Sequence, residues 1–124
     1  MAKDKYHALV KRALIELGWF VSNDPYYIPT STRTLRVDMG AEKIIVAEKG
    51  KEKIAVEVKS FVGISTLHDF YKALGQFSYY QTALEDYEED RVLYLAIPET
   101  VYSDFFAEPL TMKIVAKHDM KLIV

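Results

Sequence analysis

The sequence predicts one α/β domain built on a mixed sheet. Three observations carry that expectation. A helical repeat opens the chain, three alternating or apolar strand patterns follow at short spacing, and a second long helical repeat then separates the last of these from another apolar strand. A strand, a crossover helix and a strand imply a parallel pair with a right-handed connection, whereas strands joined by short turns imply antiparallel neighbours. At 124 residues the chain fits a single domain, 1–124, with one real core.

Taken in order, residues 3–17 read as an amphipathic helix, with Tyr6, Val10, Ala13, Leu14 and Leu17 at helical spacing and Gly18 as its C-cap. "WFVS" fits a short strand, and "NDPYYIPT" reads as a loop with two prolines. In "TLRVDMGA" Leu35, Val37 and Met39 share one face while Arg36 and Asp38 share the other. "KIIVAE" is the continuous apolar run of a central strand. A charged turn around Gly50 leads into "KIAVEVKS", and the three strands form an antiparallel meander.

The second helix spans "STLHDFYKALGQFSYYQTALEDYEED". Thr66 and Asp69 have capping-box spacing, and Leu67, Phe70, Leu74, Phe77 and Leu84 mark the buried stripe. "RVLYLAIP" is a strand stopped by Pro98, "ETVYSDFF" a short helix, and "MKIVAKHDMKLIV" one or two small terminal strands.

Composition limits the function classes. Sixteen Lys and Arg against eighteen Asp and Glu leave a net charge of −2, which argues against strong DNA affinity by the chain alone. With no cysteine, disulfides and thiolate metal sites are excluded, and a cytoplasmic location is expected. The N-terminal stretch is neither signal peptide nor membrane span. Nine tyrosines offer amphipathic, fairly rigid surface suited to a protein interface.

The strand at 53–60 poses the functional question. Ile54, Val56 and Val58 share its core face, so Ala55, Glu57 and Lys59 share the other. That second row is either a solvated charge row of the kind that protects strands from aggregation, or the floor of a site. Asp38 occupies the polar face of its own strand, and two converging carboxylates repel unless a hard cation relieves them. Mg²⁺, or Mn²⁺ in its place, suits such a pair. Lys59 can donate to a phosphate oxygen or to a metal-bound water. Gln76 and Tyr80 stand i, i+4 on one face of the second helix, with Gly75 expected to permit close approach to the sheet. The plainer reading of Gln76 is a surface glutamine beside a tyrosine core.

Asp38, then "EVK" at 57–59, then "GQFSYY" with Gln76 and Tyr80, resembles the PD-(D/E)XK nuclease superfamily, in the branch with a Gln-x-x-x-Tyr helix. More narrowly, "RVDMGAEKIIVAEKGKEKIAVEVKSFVG" and "ALGQFSYYQTAL" are similar to the XisH family, the cyanobacterial fdxN element excision controlling factors. The likeness covers essentially the whole chain. It implies a restriction-endonuclease-like αβββαβ core, a mixed central sheet flanked by helices, and a role in programmed excision of a DNA element. An XisI-like companion protein and a separate site-specific recombinase are implied as partners, without a membrane; a homo-oligomer is compatible with the same reading.

On this resemblance Asp38 matches the first acid of the motif, Glu57 the second and Lys59 the lysine, with Gln76 and Tyr80 as the helix pair. Asp38 and Glu57 are the implied metal ligands. Val37 stands where the motif has proline, a common variation that leaves the acid in place. Glu16 is a weaker match to an acidic residue on the first helix, and His7 a further candidate there. Glu42 falls after Gly40 and is expected in the turn, paired with Lys43. His68 and His118 have no partner at metal-ligand spacing and read as structural or exposed. Two functions follow as expectations: a metal-dependent endodeoxyribonuclease, or a non-cleaving accessory that works with a partner protein at a recombination site.

Overall fold

A computed structural model describes the backbone of residues 2–23, 27–35 and 44–124, and the side chains of 5–21, 27–35 and 47–124. The element order is α1 (Ala2–Glu16), β1 (Phe20–Asn23), β2 (Ile28–Pro29), β3 (Thr34–Leu35), β4 (Ile44–Lys49), β5 (Glu52–Val58), α2 (Thr66–Tyr87) and β6 (Arg91–Ala96). The chain then runs through α3 (Glu99–Val101), a π turn (Tyr102–Phe106), α4 (Pro109–Lys117) and β7 (Lys121–Ile123). Five strands form one mixed sheet in the order β1-β4-β5-β6-β7.

The connections explain that order. β4 and β5 are joined by a two-residue hairpin, Lys49 facing Glu52, with Gly50 at φ +62 in the first loop position. Across the 22-residue α2, β6 returns parallel to β5, from Lys53 opposite Arg91 to Val58 opposite Ala96. The expected parallel crossover is therefore present, and β7 extends it by pairing in parallel with β6.

Alternation along β5 divides the core in two. Ile54, Val56 and Val58 pack with Val10 and Leu14 of α1, so α1 covers one face. Ala55 joins Phe70, Ala73, Phe77, Tyr80 and Leu84 of α2 on the other face. Helix α1 stops as the glycine signal requires. Gly18 adopts φ +94 and donates to the Ile15 carbonyl, while Trp19 donates to that of Leu14, the two bonds of a Schellman cap.

Several sequence expectations need correction. "IP" at 28–29 is not loop but pairs antiparallel with Thr34–Leu35 as a separate two-stranded sheet. Of the strand expected at 34–41, residues 36–43 lie outside the described residues. The third strand of the described antiparallel set is β1, which pairs with β4. "MKIVAK" is helical, not strand: its β-branched run belongs to α4, which Pro109 opens in the first turn. The N-cap of α2 is Ser65, whose hydroxyl accepts from the His68 amide, and Asp69 instead accepts from the Gly63 amide. Ala13, Leu17 and Leu67 lie on solvent faces rather than in the core. Gly75 is exposed, with nothing within 4 Å of the position a Cβ would take, so it makes no close approach to the sheet.

At the lower end of the sheet, the buried Arg91 guanidinium gathers several segments. It donates to the Ile54 carbonyl at 3.0 Å, to Glu88 at 3.1 and 3.2 Å and to Glu48 at 3.4 Å. Burial alone pulls the Arg91 pKa down, but hydrogen bonds and charge attraction from Glu88 and Glu48 outweigh it and leave the net shift upward.

Candidate functional site

The site is built on the central strand. Every residue from Ile54 to Ser60 is buried, because β5 has a strand on each side and a helix on each face. That removes the solvated-charge reading of the polar row: Glu57 is 0 % exposed and Lys59 only 6 %. Burying a charge costs several kcal/mol per ion after relaxation, so a carboxylate and an ammonium two residues apart on one buried row need a reason beyond packing.

Orientation follows from the ladder. Glu57 faces Ile44 on β4 and Leu95 on β6, and both of its carboxylate oxygens are buried. The Lys59 amide donates to the Ala96 carbonyl at 3.0 Å, so pairing continues one residue beyond the strand. Lys59 therefore keeps to the Ala55 and Glu57 row, on the α2 side. Its ammonium donates to the side-chain oxygen of Gln76 on α2. Strand and helix thus meet through the two residue types that the sequence singled out.

Tyr80, one turn beyond Gln76, is buried among the apolar side chains between α2 and the sheet. Its ring fills core while Gln76 reaches the lysine. Asp38 and Glu42 lie outside the described residues, so the structure brings together Glu57, Lys59 and Gln76 of the sequence candidates.

The first helix contributes differently. Glu16 is exposed in its last turn, next to Leu17, whose carbonyl accepts from Lys49 Nζ at 2.9 Å. Lys49 faces Glu52 at the start of β5, five residues and about 16 Å of strand from Glu57. Glu16 accordingly stands at the far end of the sheet. His7 is half-buried on the same helix, which packs on the opposite face from Lys59. Tyr6, its neighbour, packs against that α1-side cluster, and burial pushes its phenol above the usual tyrosine value. His68 and His118 are exposed, as expected. Among the described residues no three His, Cys, Asp or Glu side chains group as metal ligands.

The family model described as XisH protein matches residues 1–124. The chain belongs to the XisH family. Two crystal structures are similar to this XisH-family chain over nearly its whole length. One is an XisH family protein from Nostoc punctiforme, 41 % identical, with a TM-score of 0.87 over 95 % of this chain and 88 % of that one. The other is an fdxN element excision controlling factor protein from Anabaena variabilis, 42 % identical, with a TM-score of 0.89 over 98 % and 89 %. A comparison with curated proteins found no match. The mixed α/β architecture expected from the sequence is thus the architecture of this XisH-family chain.

What sequence reasoning missed lies just past the lysine. Phe61 has a left-handed backbone, φ +56, which a bulky residue adopts only under constraint. Its ring sits edge-on to Phe106 of the π turn at 5.6 Å, and Phe106 in turn meets Phe70 at 5.4 Å. The sequence marks only a loop there, "FVGIS" leading to the capping Ser65, and no local pattern signals the left-handed backbone at Phe61.

Proposed function

We propose that this chain is an excision controlling factor for a DNA element whose buried Glu57–Lys59 row is a nuclease-like site of the PD-(D/E)XK kind, acting on DNA phosphodiesters with Mg²⁺. The observation that carries the reading is the buried Lys59 ammonium held by Gln76 on the face that Glu57 shares. The likeness to an fdxN element excision controlling factor supports the biological half of it.

The residues fit such a cation. Mg²⁺ takes one or two carboxylates and completes its octahedron with water and phosphate oxygens, so Glu57 with Asp38 suffices. When bound, the cation makes a water easier to deprotonate and offsets charge on the phosphoryl group. Glu57 supplies the carboxylate that the described residues bring to the same row as Lys59. Lys59 donates to a phosphate oxygen or the attacking water and stabilises the charge that builds there. Gln76 fixes the ammonium in direction while leaving its charge intact, since an amide oxygen accepts without neutralising. Tyr80 anchors that turn of α2 in the core.

The test is nicking of supercoiled plasmid with Mg²⁺ or Mn²⁺, by wild type and by Glu57→Gln and Lys59→Met. Activity that needs metal and disappears in both variants supports cleavage.

A second reading has its own observation: the net charge of −2 and the acidic run at 85–90 oppose tight binding to a polyanion by the chain alone. On that reading the chain is a non-cleaving accessory that an XisI-like partner brings to the site, with a recombinase exchanging strands. Gel shifts at about 150 mM salt, where the Debye length is about 8 Å, then give little complex alone and more with the partner. Tight site-specific binding by the lone chain removes this second reading.

A further inference from the structure

The outer face of α2 carries no charge over three turns. From Ala73 to Leu84 the helix reads "ALGQFSYYQTAL", without one Asp, Glu, Lys or Arg, in a chain of which 27 % of residues are charged. The solvent side of a surface helix is ordinarily its charged side. Here that side holds Gly75, Ser78, Tyr79 and Thr82, all exposed, with Tyr79 at 58 %. The Thr82 hydroxyl donates to the Ser78 carbonyl at 2.9 Å, so it is satisfied within the helix. A patch depleted of charge and carrying exposed tyrosine has the composition of an interface core.

Spacing and charge say what covers it. His68, Lys72, Gly75, Tyr79, Thr82 and Asp86 are all exposed and follow one another at intervals of four, three, four, three and four. That alternation is the heptad seam along which one helix packs on another. The intervals read the same in both directions, so a second α2 laid antiparallel on the first matches at every step. Tyr79 then faces Gly75, Lys72 faces Thr82, and Asp86 faces His68 with Lys72 one turn away. Gly75 gains a purpose that the fold of one chain does not give it. A glycine inside a helix weakens it, yet this one has no positive φ and nothing within 4 Å of its Cβ position. In the pair it is the notch that takes the tyrosine of the other copy. Charge fixes the direction. The acidic run 85–90 lies at one end of the seam and Lys72 near the other, so parallel copies would stack acid on acid. Antiparallel copies set acid against lysine, and the positive end of each helix beside the negative end of the other.

We propose that two copies of this chain associate through α2, antiparallel, about a two-fold axis at the level of Phe77. Such an interface is isologous, the same patch serving both copies. The 22 residues of α2 span about 33 Å. One helix face buries less than the roughly 800 Å² per partner of a standard interface, so the dimer belongs to the weak, reversible class. The pairing is independent of the DNA chemistry proposed above.

Sedimentation velocity of the full chain over a concentration series tests it, with circular dichroism and melting of each variant as controls for folding. Wild type passes from monomer to dimer as concentration rises. Gly75→Gln fills the notch and Tyr79→Ser removes the side chain that enters it; both keep the helical signal and weaken the dimer about tenfold or more. Lys72→Glu and Asp86→Lys each weaken it, and the chain carrying both exchanges recovers it. A monomer at every concentration up to about 1 mM overturns the proposal and leaves the face to a different protein. A dimer that neither Gly75→Gln nor Tyr79→Ser disturbs overturns it by placing the contact elsewhere. Failure of the double charge exchange to recover a dimer lost in both single variants overturns the antiparallel register.

Discussion

The Lys59 ammonium on β5 donates to the Gln76 side-chain oxygen on α2, joining the sheet to its crossover helix by a charged group sealed from solvent. The two residues should respond to substitution as a pair. Gln76→Leu leaves a buried ammonium without its amide acceptor and costs about 1–3 kcal/mol in urea unfolding. Lys59→Met keeps the length but leaves the buried Glu57 carboxylate without the cation two residues along its row, so it is expected to cost stability as well. In the double variant the Gln76→Leu penalty largely disappears. A Gln76→Leu penalty that persists in full beside Lys59→Met would mean that the glutamine does not act through the lysine.

Glu57 should couple metal to stability. A ligand that binds only the folded chain raises stability by RT ln(1 + [L]/Kd), about 2.7 kcal/mol at a hundredfold excess over Kd. Mn²⁺ therefore raises the melting temperature of wild type but not of Glu57→Gln, and calorimetry shows heat only with wild type. Equal heats from both place any metal elsewhere.

Tyr6 sets an alkaline limit. Its folded-state pKa lies above the ordinary 10.0 because burial disfavours the phenolate. With the folded value raised, its contribution is complete below pH 10, where the phenol is protonated in both states. Above that the unfolded chain loses the proton first, and stability falls as pH rises toward the folded value. Tyr6→Phe flattens this decline. Urea midpoints from pH 8 to 11 compare the slopes, and parallel curves would remove Tyr6 as the cause.

Gly75 is a mid-helix glycine that the structure does not use. Its Cβ position is open and its backbone is ordinary helix, so Gly75→Ala should stabilise by about 0.5–1 kcal/mol. A loss of stability would reveal a packed neighbour at that position.

Legibility followed the physics of each segment. Residues 54–59 were readable because period-two alternation leaves no freedom once Ile54, Val56 and Val58 are buried, and Lys59 and Gln76 met as that alternation requires. "KIVAK" was not, since an apolar β-branched run fits strand or helix equally; Pro109 at the first helical turn was the better guide. Leu67 matched the stripe by spacing yet faces water, because a helix resting on one sheet buries only its central rows, here Phe70, Ala73, Phe77, Tyr80 and Leu84. Ser65 displaced Thr66 as the cap, a one-residue shift within the usual uncertainty of helix ends. The left-handed Phe61 had no local signal, since its conformation is imposed by aromatic rings distant in sequence.

The parallel pairing of β5 with β6 also governs when the site comes into being. The β4–β5 hairpin closes through two residues on local contacts, but β6 can join only after the whole of α2 has been looped back, a closure whose entropy cost grows with length. Glu57 belongs to the fast, local hairpin, whereas Lys59 lies beyond it, bonded to Ala96 of β6, and shares the slow, distant part with Gln76. A chain stalled after the hairpin holds the acid without the helix that aims the lysine. On the reading proposed above, completing the fold is then the licensing step for acting on DNA, and newly made or damaged copies are inert until α2 has docked.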